Sequence, residues 1–169
     1  MIIFLGLLGL LTGCASGSPE QKGNASVEFE QKESSAAIVQ LVQEQETLLT
    51  VEYKIHNHTN EQTKPLYAKI VVHDTRLSSL LGFEQYPERE VQANLIMLKP
   101  NETQLGAQTF SLKLEESQTE EFYKDSIVEN KGIELVLVDS ESGHQLASSF
   151  IHKVSWIEQQ SREVIENVN

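Results

Sequence analysis

Leu49, Val51, Tyr53 and Ile55 alternate with Thr50, Glu52, Lys54 and His56, and this two-residue period constrains the fold more than any other feature of the chain. Successive side chains of a β-strand point to opposite faces, so such a run predicts a strand with its odd positions toward a core and its even positions toward solvent. The period recurs. Leu66, Ala68, Ile70 and Val72 predict another inward face, residues 91–98 a further strand, and Phe110, Leu112 and Leu114 the inward side of the next. Residues 133–138 are an apolar run broken only by Glu134, and residues 145–155 read as the strand that closes the series. Upstream, either Ala37, Val39 and Leu41 or Ile38 with Val42 supplies the buried side of a first strand, while Val27 and Phe29, set between charges, suggest a short leading one. Polar stretches at 44–46, 57–65 and 98–102 separate these runs, and Pro100 is placed to stop a ladder.

About seven strand signals joined by polar loops predict an all-β antiparallel sandwich, with a partly open barrel as the competing architecture. The run Val51-Glu52-Tyr53-Lys54-Ile55 ending at Asn57, a strand at 67–73, and Leu98-Lys99-Pro100-Asn101-Glu102 before Phe110 together resemble bacterial immunoglobulin-like surface modules. In those modules a similar leucine-proline turn precedes the fifth strand. The resemblance covers residues 36–155 and implies an Ig-like sandwich. A core Trp on the third strand and a cysteine pair are both missing, which sets the chain apart from antibody-type domains.

Two stretches break the strand rhythm. In residues 119–131, Phe122, Tyr123 and Ile127 fall at helical spacing behind Thr119 as an N-cap, which predicts a short helix over an edge or end of the sandwich. Residues 76–90 carry Leu77, Leu80, Leu81, Phe83 and Tyr86 in a connection. Either these five pack beneath the sandwich, or they form an exposed binding loop rimmed by charges. At the C-terminus, Trp156, Ile157, Val164, Ile165 and Val168 are spaced for one face of a helix, so residues 156–169 are read as a tail or terminal helix.

The N-terminus has a different character. An uncharged apolar run from Ile2 ends in Leu11-Thr12-Gly13-Cys14, which holds the only cysteine of the chain and resembles a bacterial lipobox. The resemblance implies cleavage before Cys14, a diacylglyceryl group on its thiol and an N-acyl chain such as palmitate. Residues 1–13 are then a lipoprotein signal peptide, since so short a run cannot span a bilayer, which needs about 20 apolar residues. Basic residues of an ordinary n-region are absent, which leads to the expectation that the natural start lies slightly upstream. Residues 14–32 become the lipidated cysteine and a flexible tether, and residues 33–155 the sandwich domain. Two or more acyl chains anchor a protein stably where one does so only marginally.

Thirteen Lys and Arg against 25 Asp and Glu give a net charge of −12. That surface repels phosphate backbones and anionic lipid heads, so nucleic acid is not an expected partner. No Gly-x-Ser-x-Gly elbow, His-Glu-x-x-His pair or phosphate-binding glycine loop occurs. One constellation has metal-ligand chemistry. His56 and His58 are two apart at a strand end, and Asp139, Glu141 and His144 lie in a turn that an Ig-like fold brings to the same end of the sandwich. The expected protein is a noncatalytic binding, adhesion or envelope-accessory lipoprotein with no cofactor beyond its lipid. It would face outward from the cell membrane or outer membrane and meet another envelope protein or surface ligand. A metal-binding lipoprotein using the loop histidines, and an enzyme of unrecognised type, are the alternatives.

Overall fold

The computed structural model describes residues 26–86, 95–113 and 118–160. Nine strands occur there: β1 (Val27–Phe29), β2 (Ser35–Leu41), β3 (Glu46–Asn57), β4 (Leu66–Val72), β5 (Gln85–Tyr86), β6 (Thr103–Ser111), β7 (Ile133–Asp139), β8 (Gln145–Phe150) and β9 (Lys153–Gln159). Helix α1 (Thr75–Leu81) follows β4, and α2 (Glu120–Lys124) runs into a π-helical turn at Asp125–Glu129.

The strands form two sheets. In the first, β3 is long enough to serve three neighbours, with β6 along one side and β1 and β2 end to end along the other. Strand β9 pairs parallel with β2 at the edge. The second sheet has the order β5-β4-β7-β8, all antiparallel. The architecture is the expected all-β sandwich.

Burial follows the predicted alternation closely in β3, where Leu49, Val51 and Ile55 are buried, Tyr53 is half-buried and Glu52 is exposed. They meet Leu66, Ile70, Leu135 and Leu137 of the other sheet in one core. For β2 the two candidate faces resolve to Ala36 and Ile38 inward, joined by Leu41, while Val42 is 41% exposed. Strand β7 is buried on both faces, with Leu135, Val136, Leu137 and Val138 all buried.

Four expectations need correction. Val27 and Phe29, each 4% exposed, pair with β3, so the sandwich begins before residue 33. Residues 145–155 are two strands, because the chain leaves the second sheet at Ile151-His152 and enters the first as β9. Trp156 and Ile157 lie in β9, since backbone partners on β2 outweigh the helical spacing of the apolar residues; Val164, Ile165 and Val168 lie outside the described residues. Of the strand expected at 91–98, residues 91–94 also fall outside them. Ile96 makes only a single bridge to Leu66. Leu114 likewise lies outside.

The helical insertion forms as expected. Thr119 Oγ1 accepts a hydrogen bond from the Phe122 amide at 3.2 Å, and the helix buries Tyr123 and Ile127 completely. Tyr123 packs against Trp156 of β9 with ring centroids 5.8 Å apart. Burial of Tyr123 pushes its phenol up to about 12.

Candidate functional site

Asp74 starts the connection that was a candidate binding loop. Its carboxylate accepts hydrogen bonds from the amides of Arg76 (2.8 Å) and Leu77 (3.1 Å), so α1 begins with a satisfied N-cap. Gly82, at φ 79°, ends it in the left-handed conformation that glycine adopts without steric cost. Between the two caps, helical spacing turns Leu77 and Leu81 into the core at 0% and 7% exposure. Leu80, Phe83 and Tyr86 are partly buried against the same core. Phe83, Tyr86 and Phe110 form a triangle of rings with centroids 5.0–5.7 Å apart. Of the two readings of this connection, packing is the one realised, because a capped seven-residue helix can aim its apolar side inward.

The end of the sandwich that holds the histidines is built on a buried polar residue. Asn57, fully buried, donates from Nδ2 to the carbonyls of Glu61 (2.8 Å) and Lys99 (2.9 Å) and accepts at Oδ1 from the amide of Thr59 (3.0 Å). One amide therefore ties the 57–65 loop to the turn at 98–102. Nothing local in the sequence marks Asn57 for this role, since the carbonyls of Leu98 and Lys99 that it ties to its own loop lie 41 and 42 positions away along the chain.

The loops carrying the five candidate metal ligands do meet. The Ser140 amide donates to Pro65 O at 3.0 Å and Lys64 Nζ approaches Glu141 Oε2 at 2.9 Å. That bond holds the Lys64 ammonium above its ordinary range. The Asp139 carboxylate accepts from the amides of Ser142 and Glu141, Ser142 above all holding it below its ordinary range, and so shapes the hairpin. The rings of His56 and His58 meet edge to face with centroids 4.2 Å apart, but His56 Nδ1 bonds Thr103 Oγ1 (2.6 Å) and His58 Nε2 bonds Glu28 Oε1 (2.8 Å). Among the described residues no group of three or more His, Cys, Asp or Glu side chains is assembled to hold a metal. The two loops touch through Pro65 and Lys64, while His56 and His58 bond toward β6 and β1, and the five candidates form no single ligand set. His73 sits at the far end of β4, bonded to Glu134. Cys14 lies outside the described residues.

A site that the sequence did not reveal lies on the outer face of the first sheet. Phe29 pairs with Ile55 and Ser35 with Glu52, so the chain between β1 and β2 bows out as a 3-10 turn at Gln31–Glu33. This turn walls a concavity of about 480 Å³. Its floor is a transverse row of register partners from four strands: Ala107 on β6, Glu52 on β3, Ser35 on β2 and Lys153 on β9. Small side chains at Ser35 and Ala107 leave the depression between longer ones. Lys32 and Glu33 stand on the wall, and Leu105, 75% exposed, stands at the margin. Tyr53 and Gly106 complete the lining; the Tyr53 ring leans across Gly106, where a Cβ would collide with it.

No family model matches the chain, and no curated protein matches it. Among solved structures, a calcium-binding mutant of Bacteroides uniformis β-glucuronidase 2 is similar at 13% identity and a TM-score of 0.49. The match covers 73% of this chain and 14% of that one.

Proposed function

We infer that the protein is a lipid-anchored bacterial envelope lipoprotein whose β-sandwich serves as a noncatalytic binding or accessory module on the outer side of the membrane. The observation that carries this reading is Leu11-Thr12-Gly13-Cys14 closing an uncharged apolar run, followed by a polar stretch before the first strand at Val27. A cysteine there receives diacylglycerol and, after cleavage, an acyl chain on its new amino group. Two or three chains give a stable anchor, and the polar stretch gives the module reach from the bilayer surface. No helix among the described residues is long and apolar enough to cross a membrane. The open concavity on the outer sheet face supports a role in binding.

The test is Cys14→Ser in a bacterial host fed labelled palmitate. The expected outcome is loss of label and movement of the protein from the membrane fraction to the soluble one. Undiminished labelling in the variant would overturn the reading.

A further inference from the structure

We propose that the concavity on the outer face of the first sheet binds a short peptide with both termini free, through its ammonium and its carboxylate; this deepens the binding-module reading and rests on it. The argument starts from the charges. Glu52 and Lys153 flank Ser35 on adjacent strands, and Lys32 and Glu33 add one more charge of each sign on the wall. None of these four makes an ion pair or side-chain hydrogen bond with another described residue. Within the concavity, two cations and two anions stand close together and leave each other unpaired.

That arrangement selects a ligand class. An anion would meet Lys32 and Lys153 but also Glu33 and Glu52, within a protein of net charge −12 that already repels it. A cation would meet the two lysines. An uncharged ligand would strip water from four ionised groups and return no charge to any of them. Only a dipolar molecule sets each of its charges against an opposite one. Neighbouring strands are about 4.8 Å apart, so the backbones bearing Glu52 and Lys153 are separated by roughly 10 Å across Ser35. An extended dipeptide spans at most about 7 Å, which fits within that separation. Leu105 and Ala107 offer apolar contact at the margin for a ligand side chain, and the volume falls in the ordinary range for small-ligand sites, about 300–1,000 Å³.

The experiment titrates the full chain, held in detergent, with Ala-Leu carrying both free termini, and with its N-acetylated, C-amidated and doubly capped forms, read by isotope-edited NMR. Ala-Leu is expected to bind saturably and to shift the resonances of Ser35, Glu52, Ala107 and Lys153. Each cap is expected to weaken binding by about threefold to tenfold, as partly exposed charge pairs do. The variants carry the assignment of the two ends. In Glu52→Gln the N-acetyl cap should lose its effect while the amide cap keeps it, and in Lys153→Gln the reverse should hold, which isolates each pairing as a double-mutant cycle does. Absence of saturable binding, shifts confined to another surface, or equal binding of the doubly capped peptide would overturn the proposal. The capping series on the unaltered protein decides the matter even if a variant folds poorly. Lipid labelling of Cys14 without peptide binding would leave the anchored module and discard this ligand; peptide binding without labelling would do the opposite.

Discussion

The two connections that flank β4 solve one problem by opposite means. The 57–65 loop before β4 is held by Asn57, a fully buried amide whose hydrogen bonds reach Glu61, Thr59 and Lys99. The 73–86 connection after it is held by Leu77 and Leu81, buried apolar side chains on a capped helix. Apolar burial is non-directional and tolerates small shifts, so the second connection can be long and still pack. A buried amide must meet its partners at hydrogen-bond geometry or lose its solvation without return, so the first is tied to one shape of the neighbouring turn. Function placed on the first loop would inherit a fixed frame.

The comparison breaks if the apolar connection proves to be a surface. Leu81→Ser combined with Phe83→Ser is expected to lower Tm by about ten degrees or more, because each large apolar side chain removed from burial costs about 1.5–3 kcal/mol. Calorimetry on the double variant checks this. An unchanged Tm would mean that the 76–90 connection is a free patch after all.

Asn57→Ala is expected to have the next largest effect, about 1–3 kcal/mol, since it leaves the amide of Thr59 without its acceptor and takes one of two donors from the carbonyls of Glu61 and Lys99, which keep Thr59 Oγ1 and the Glu102 amide. Asn57→Asp has nearly the same shape but exchanges two donors for a negative charge facing those carbonyls. It should cost at least as much as alanine at neutral pH. Denaturant midpoints of the two variants decide it, and a well-tolerated aspartate would show that shape, rather than donation, holds the loop.

These residues also show what the sequence made legible. Strand β3 could be read because its burial depends on a local period, and the helix at 120–124 because Thr119 and its acidic first turn are local signals. The edge strand β9 could not. Val154 and Trp156 face inward only because β2 lies beside them, and a helical spacing that continues to Val168 masked the strand. Asn57 looked like any loop asparagine, because the carbonyl of Lys99 that gives it meaning is placed by the fold. The outer concavity was hidden for the same reason: Ser35, Glu52, Ala107 and Lys153 come from four strands and share nothing along the chain but polarity or small size. The five candidate metal ligands are the converse case. Loop proximity was foreseeable from topology, yet each side chain's nearest bond, His58 to Glu28 above all, was not.

The smallest expected effect sharpens the comparison by isolating the polar cap of the apolar connection. Arg76, bonded through Nη2 at 2.7 Å, holds the Asp74 carboxyl below its ordinary range, and the amides of Leu77 and Arg76 add to that against the opposing effect of burial. Asp74→Ala removes an N-cap and should cost about 1 kcal/mol. Asp74→Asn keeps a capping oxygen and loses only the charge, so it should cost less. The pH dependence fixes the sign. A carboxyl whose folded pKa is depressed binds fewer protons folded than unfolded, so its charge stabilises the fold above the unfolded value of about 3.9, and that contribution is lost as pH falls through the lower folded value. The stability gap between the unaltered protein and Asp74→Asn should therefore be constant at neutral pH and shrink steadily below about pH 4. A gap that instead widened in acid would show that Asp74 acts in its protonated form. In that case the cap would act as a neutral hydrogen-bonding group, as the Asn57 amide does, and the two connections flanking β4 would differ less than their buried residues suggest.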